Sequence, residues 1–227
     1  VETPPLPFSV LHIDHKGSLP ACSIGKNIYQ HVLVVTCALT RFTLLIPSNG
    51  TTGVERLTIL LRHVFSTFGY PSVFVTDNGP AFANDLMKKA SQFFGYRQMH
   101  VLPYNAAGNG LAESAVKRVK LLLDRQCKQY ENWASQLPMM QLLLNSATHT
   151  STGVSPFYAL FGREPIGLEQ LEDPSLFPKV DGNKFLTELR GRLLRLHEEL
   201  RKHSDAIKKL RADENNARHY SAHAPKR

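Results

Sequence analysis

A chain of 227 residues, 42% of them hydrophobic and 9% aromatic, can bury a full core, which excludes a disordered or low-complexity protein. No apolar run approaches the roughly 18 residues needed to cross a bilayer, so a membrane-spanning class is excluded and no membrane partner is expected. The net charge is +8, and from residue 183 onward twelve Lys or Arg stand against six Asp or Glu, an asymmetry that points to a polyanion, nucleic acid above all, near the C-terminal segment.

The Pro-rich opening "VETPPLP" and the ending "HAPKR" suggest a piece of a longer polypeptide, with residues 1–7 as a linker from a preceding module. "FSVLHIDHKG" alternates in the manner of a strand and is expected to end at Gly17. "QHVLVVTCAL" reads as a strand covered on both faces, and "RFTLLIP" follows after a short turn, so the three form an antiparallel meander. "TTGVERLTILLRHVFSTFG" carries Val54, Leu57, Leu61, Val64 and Phe68 at helical spacing and stops at Gly69. "SVFVTD" is a short strand, "FANDLMKKASQFFG" a helix closed by Gly95, and "YRQMHVLP" a further strand. A basic helix follows "PYNAAGNG", a second covers Trp133 to Leu144, and "HTSTGVSPFYALFGREP" gives a loop, a short helix and an exit. The fold class is therefore α/β: a mixed five-stranded sheet flanked by helices.

After a linker at 166–182, Leu186, Leu189, Leu193, Leu196, Leu200, His203, Ile207 and Leu210 form a heptad seam in a long amphipathic helix over 183–219, with 220–227 beginning a further linker. So narrow a stripe favours self-association or docking on a partner helix, although packing on the chain's own core remains the other setting. Three cysteines, Cys22, Cys37 and Cys127, are odd in number and lack CxxC spacing, which argues against a disulfide framework and a zinc site and suits a reducing intracellular compartment. His219 and His223 stand at helical spacing but lack a second ligand pair.

Asp14 and Asp77 both close apolar strands, where ligands of open α/β sheets bind, although each also sits in a good turn sequence. Glu113 lies in the first turn of the basic helix, where an acid also suits the helix dipole. The 35 residues between Asp77 and Glu113 hold a helix, a strand and a Gly-containing loop, enough chain to return Glu113 to the same edge of the sheet. Three convergent carboxylates repel one another unless a cation compensates. Hard divalent ions suit oxygen ligands, and a pair bridged by one carboxylate can assist an in-line displacement at a phosphodiester.

The series "LHIDHKG", "VTDNGPAF", "PYNAAGNGLAES" and "STGVSPFYALFGREP" resembles the catalytic core of retroviral and long-terminal-repeat retrotransposon integrases, the group with two aspartates and a glutamate 35 residues on. The resemblance covers residues 8–165 and implies a ribonuclease H-like fold. It implies a polynucleotidyl transferase that uses two Mg²⁺ or Mn²⁺ ions to trim the 3′ ends of element DNA and join them to host DNA, acting as a homo-oligomer in the host nucleus after a cytoplasmic particle stage. Asp14, Asp77 and Glu113 match the metal ligands, with Asp14 bridging. Tyr104, Asn105 and Asn109 match positions near the element's DNA ends. Lys117 and Lys120 match lysines on that DNA, and their spacing puts them on one helix face with Glu113, whereas Arg118 points elsewhere and is expected at the surface. "AAGNG" departs from the Pro-Gln sequence common in the loop, and Cys37 stands where many retrotransposon members carry Asp; neither removes a ligand. Two other classes remain at this stage: a host-adopted, non-catalytic DNA-binding or scaffold protein, and a plain nuclease related to ribonuclease H or a junction resolvase.

Overall fold

The computed structural model describes residues 3–50, 52–76, 82, 84–100, 106–126, 132–165 and 182–222, with side chains throughout except at 106–109, 112, 113, 126, 182–186, 189 and 215–222. Among the described residues the strands are β1 (Val10–Lys16), β2 (Cys22–Ile24), β3 (Asn27–Tyr29), β4 (His31–Cys37), β5 (Thr43–Ser48), β6 (Val73–Thr76) and β7 (Arg97–His100). The helices are α1 (53–68), α2 (Asp85–Phe94), α3 (Ala106–Gln126), α4 (Trp133–Ser146), α5 (Pro156–Phe161) and α6 (Gly182–Ala222).

The main sheet has the order β5-β4-β1-β6-β7. The expected meander is present, since β1 pairs antiparallel with β4 and β4 with β5, while β6 and β7 add in parallel on the other side of β1. A separate β2–β3 hairpin was not foreseen in the sequence. Its three-residue strands are mostly exposed, so they carry no apolar alternation to betray them; the visible sign is Gly25, whose φ of 59° suits the turn.

Alternation along β4 divides the core. Leu33, Val35 and Cys37 join Leu11 and Ile13 of β1 in one cluster, covered by Leu60, Val64 and Phe65 of α1 and Met87 of α2. Val32 and Val34 face the opposite cluster, built from Ala115, Val119 and Leu123 of α3 and Trp133, Leu137 and Met140 of α4. A strand buried on both faces needs such a continuous apolar run.

The helix ends follow from capping chemistry. The Thr52 hydroxyl accepts from Glu55 N–H, and Glu55 accepts in turn from Asn49 and Gly50 N–H, which fixes the start of α1. Asn84 caps α2 through Met87 N–H at 3.0 Å, and Gly95 closes it in the left-handed region. The "STGVSPFYALFGREP" segment is explained in the same terms. Ser155 Oγ accepts from Tyr158 N–H and donates to the Glu164 carboxylate, Pro156 fills the first turn of α5 and Gly162 ends it.

Strand β5 lies at a sheet edge, and α4 covers its backbone with side chains. Asn145 Oδ1 accepts from Thr43 N–H and Nδ2 donates to Thr43 O, both at 2.8 Å, while Gln141 Oε1 accepts from Leu45 N–H. The exposed ladder of an edge strand is thereby closed to other strands.

Helix α6 departs from the heptad expectation. Leu196 and Leu200 pack on the chain's own first core cluster, with Leu200 buried, and His197 meets the Ala159 carbonyl at 2.9 Å. The slot the seam assigns to His203 belongs to Ser204: His203 is exposed and Ser204 is buried. Leu194 and Leu210 remain exposed at 57% and 62%. Thr3 near the start of the chain accepts from Lys208 Nζ and donates to Asp205, which ties the opening segment to α6.

Candidate active site

Asp14 sits near the end of its strand, in keeping with the expected stop at Gly17. It lies within β1, opposite Val34 of β4, and β1 continues antiparallel to β4 through Lys16. On its other side the described parallel pairing with β6 reaches Ile13 with Thr76.

Leu11 and Ile13 point into the first core cluster, so His12 and Asp14 point to the opposite face, the one covered by α3. Asp14 is half-buried, and its Oδ1 accepts from His15 N–H at 2.7 Å. That bond orients one carboxylate oxygen along the backbone. At the same end of the sheet, the Thr76 hydroxyl meets His100 Nδ1 at 3.2 Å and links the ends of β6 and β7.

Helix α3 packs across β1 and β4 by burying Ala115, Val119 and Leu123. Glu113 and Asn109 lie within this helix, but their side chains are outside the described set, and Asp77, Tyr104 and Asn105 lie outside the described residues altogether. The covalent neighbours that are described give the frame: Thr76, the residue before Asp77, is paired one position from Asp14, and α3 carries Glu113 over the same face. Lys117 and Lys120 are exposed on α3, the helix that also contains Glu113. Among the described residues no group of three His, Cys, Asp or Glu side chains forms a metal cluster. Cys37 is a buried core thiol that accepts from Phe8 N–H at 3.2 Å.

Arg118 is not a surface residue. It is half-buried on α3, and burial lowers its pKa. Nearby, Arg41 donates from Nε to Ser151 Oγ at 3.1 Å and from Nη2 to Ser204 Oγ at 2.7 Å. His149 Nδ1 lies 2.9 Å from Ser151 Oγ and accepts from Ser151 N–H, so the imidazole is neutral with its proton on Nε2. Burial first, then the charges of Arg118, Arg41 and Arg211, push the His149 pKa down to about 3. Sequence reading missed this cluster because its members come from four separate segments. The one available signal was Arg41 itself, a cation in the otherwise apolar stretch between β4 and β5.

No protein-family model matches the chain. It is 29% identical over 199 residues to the Pro-Pol polyprotein of simian foamy virus type 3, covering 82% of this chain and 16% of that protein. It is 27% identical over 179 residues to the Transposon Tf2-3 polyprotein of Schizosaccharomyces pombe, covering 78% of this chain and 13% of the relative. The chain thus spans about a sixth or less of the length of these relatives. Among solved structures, an HTLV-2 integrase catalytic core domain in complex with magnesium, in a trimeric form, aligns with a TM-score of 0.50 at 18% identity, covering 67% of this chain and 95% of that one. A simian T-cell lymphotropic virus intasome aligns with a TM-score of 0.56 at 19% identity, covering 80% of this chain and 61% of that one. The mixed five-stranded sheet, its flanking helices and the long C-terminal helix match the ribonuclease H-like architecture of these cores. In sequence this chain is similar to a segment of retroviral and retrotransposon polyproteins, and in fold it matches integrase catalytic cores.

Proposed function

We propose that this chain is the working core of a DNA integrase, a polynucleotidyl transferase that trims the 3′ end of retroelement DNA and joins it to host DNA. The observation that carries the reading is the position of Asp14: on the α3-covered face of the central strand, one residue from the pair that ends in Thr76, with Asp77 next in sequence. Asp14, Asp77 and Glu113 would hold the divalent ions, and an all-carboxylate donor set fits Mg²⁺ or Mn²⁺ better than a softer metal. Bound there, a pair of ions would lower the cost of forming the attacking oxygen anion and of releasing the departing one.

Two exchanges at phosphorus make up the reaction. In trimming, a water oxygen forms the new P–O bond as the bond to the element strand's 3′ oxygen breaks, leaving a 3′-hydroxyl. In joining, that hydroxyl oxygen attacks a host phosphodiester, and the host 3′ oxygen departs. Lys117 and Lys120 on the exposed side of α3 would hold the DNA backbone along the helix that carries Glu113, while Tyr104, Asn105 and Asn109 would approach the element's end. The reading extends to a homo-oligomer on two DNA ends, working in the nucleus after a cytoplasmic particle stage; the solved neighbours include a trimeric core and an intasome.

The test is a joining assay with the full-length protein, a short duplex of element ends, Mg²⁺ and a supercoiled plasmid, run beside Asp14→Asn and Asp77→Asn. Joined product from the intact protein and none from either variant supports the reading. DNA binding without joining would favour the host-adopted scaffold, and cleavage without joining the plain nuclease.

A further inference from the structure

A cleft of about 1020 Å³ opens between α3, α4, the loop 147–151 and α6, and Asp14 is not among its lining residues. Leucines 111, 122, 143 and 144 and Ile207 make it apolar over much of its wall. Arg41, Arg118 and Arg211 line it as well, and they come from three different parts of the chain.

These cations are under-compensated. Arg41 is 3% exposed, and although two of its nitrogens donate to serine hydroxyls, Nη1 is buried without a hydrogen-bond partner among the described residues; Nε of Arg118 is in the same state. Among the described residues no carboxylate stands within ion-pair distance of Arg41, Arg118 or Arg211. Asp205, the acid whose field reaches Arg41, is bonded to Thr3 and Lys208. Burial, with Arg118 and Arg211 adding to it, lowers Arg41 to about 10, and the same three arginines act together on His149. Buried polar atoms are almost always satisfied, and a buried charge left alone is costly, so converging guanidinium groups with spare donors imply an anion between them.

We propose that this cleft binds a small organic anion, a carboxylate or phosphate on an apolar body, with the acidic group between Arg41, Arg118 and Arg211 and the body against Leu111, Leu122 and Leu144. The planar forks of arginine suit both oxyanions. The volume is that of a small-molecule site and is too small for a DNA duplex, while the leucines exclude a fully hydrated ion as the sole occupant. Ser114, Arg118 and Leu122 share the cleft on a side of α3 other than the Lys117 and Lys120 side, so the ligand would brace the helix that carries Glu113 without occupying its DNA-facing surface. Because Ile207 and Arg211 belong to α6, the ligand would also fasten that helix to the core. None of this depends on whether the chain joins DNA.

The test is calorimetric titration and thermal unfolding of the full chain with phenyl phosphate and benzoate, at fixed ionic strength, against phenol and inorganic phosphate. One saturable site is expected for at least one amphipathic anion, with binding at least tenfold tighter than for either half-molecule and a ligand-dependent rise in Tm. Arg211→Gln, an exposed position that folding tolerates, should weaken binding at least fivefold, and Arg118→Gln should abolish it. The proposal is overturned by no saturable binding to the folded protein, by phenol binding as well as phenyl phosphate, or by Arg211→Gln binding as well as the parent. Should Arg118→Gln fail to fold, Arg211→Gln alone decides.

Discussion

Arg41 and Ser204 are separated by 163 residues and meet at 2.7 Å, a buried guanidinium donating to a buried hydroxyl. Arg41 stands at the turn between β4 and β5, and Ser204 lies on the C-terminal helix, so this bond fastens α6 to the sheet layer. Ser204→Ala leaves a second Arg41 nitrogen without an acceptor, and the loss should be about 1.5–3 kcal/mol, the range for a hydrogen bond to a charged group. Urea denaturation measures it; an unchanged midpoint would mean that α6 is not held there.

His149 makes the same region sensitive to acid. Its folded pKa, about 3, lies below the ordinary 6.5, so the unfolded chain binds the extra proton between those values. The stability it contributes is complete above pH 6.5 and is lost as pH falls toward 3. Arg41, Arg118 and Arg211 oppose the proton, and Asp205 is the acid acting on Arg41 beside them. His149→Asn, which cannot titrate, should show a shallower loss of denaturation midpoint across that window than the parent. Parallel curves would contradict it.

Asn145 replaces a missing neighbour strand for Thr43, and the replacement can be removed. Asn145→Ala strands a buried N–H and a buried carbonyl, which should cost about 2–4 kcal/mol. The newly open edge should also raise aggregation at high protein concentration, readable by light scattering. Leu142→Ala, at a position 44% exposed on the same helix, should do neither.

Lys117 and Lys120 should act on DNA through charge alone. Replacing both with Ala should weaken duplex binding to a similar degree for every sequence and make the dependence of log affinity on log salt shallower by about 1.8, near 0.9 for each phosphate no longer neutralised. Fluorescence anisotropy across a salt series checks this. A change confined to one sequence would mean that the lysines read bases.

Periodic and capping information is local, and it was legible in the chain from the start. The apolar run at 32–37, the stop at Gly95 and the Ser155-Pro156 start of α5 each depend on a few adjacent residues, and each yields the element seen. The three acids can be read as a spacing, while Asp77 and the side chain of Glu113 lie outside the described residues. The register of the strands was not: the segment shows a strand stopping at Gly17, and only the structure sets Asp14 opposite Val34 of β4. Arg118 reads as surface by its helix face, yet it lines the cleft that α3 shares with α4 and α6 and is half-buried there. His203 fits a heptad by count, yet the helix meets a core whose shape selects Ser204. By itself the sequence determined the strands of the main sheet, the helices and which acids could share an edge. Tertiary structure alone decided burial, register and the gathering of Arg41, Arg118, His149 and Arg211, because those depend on contacts between segments far apart in the chain, where no local pattern records the partner.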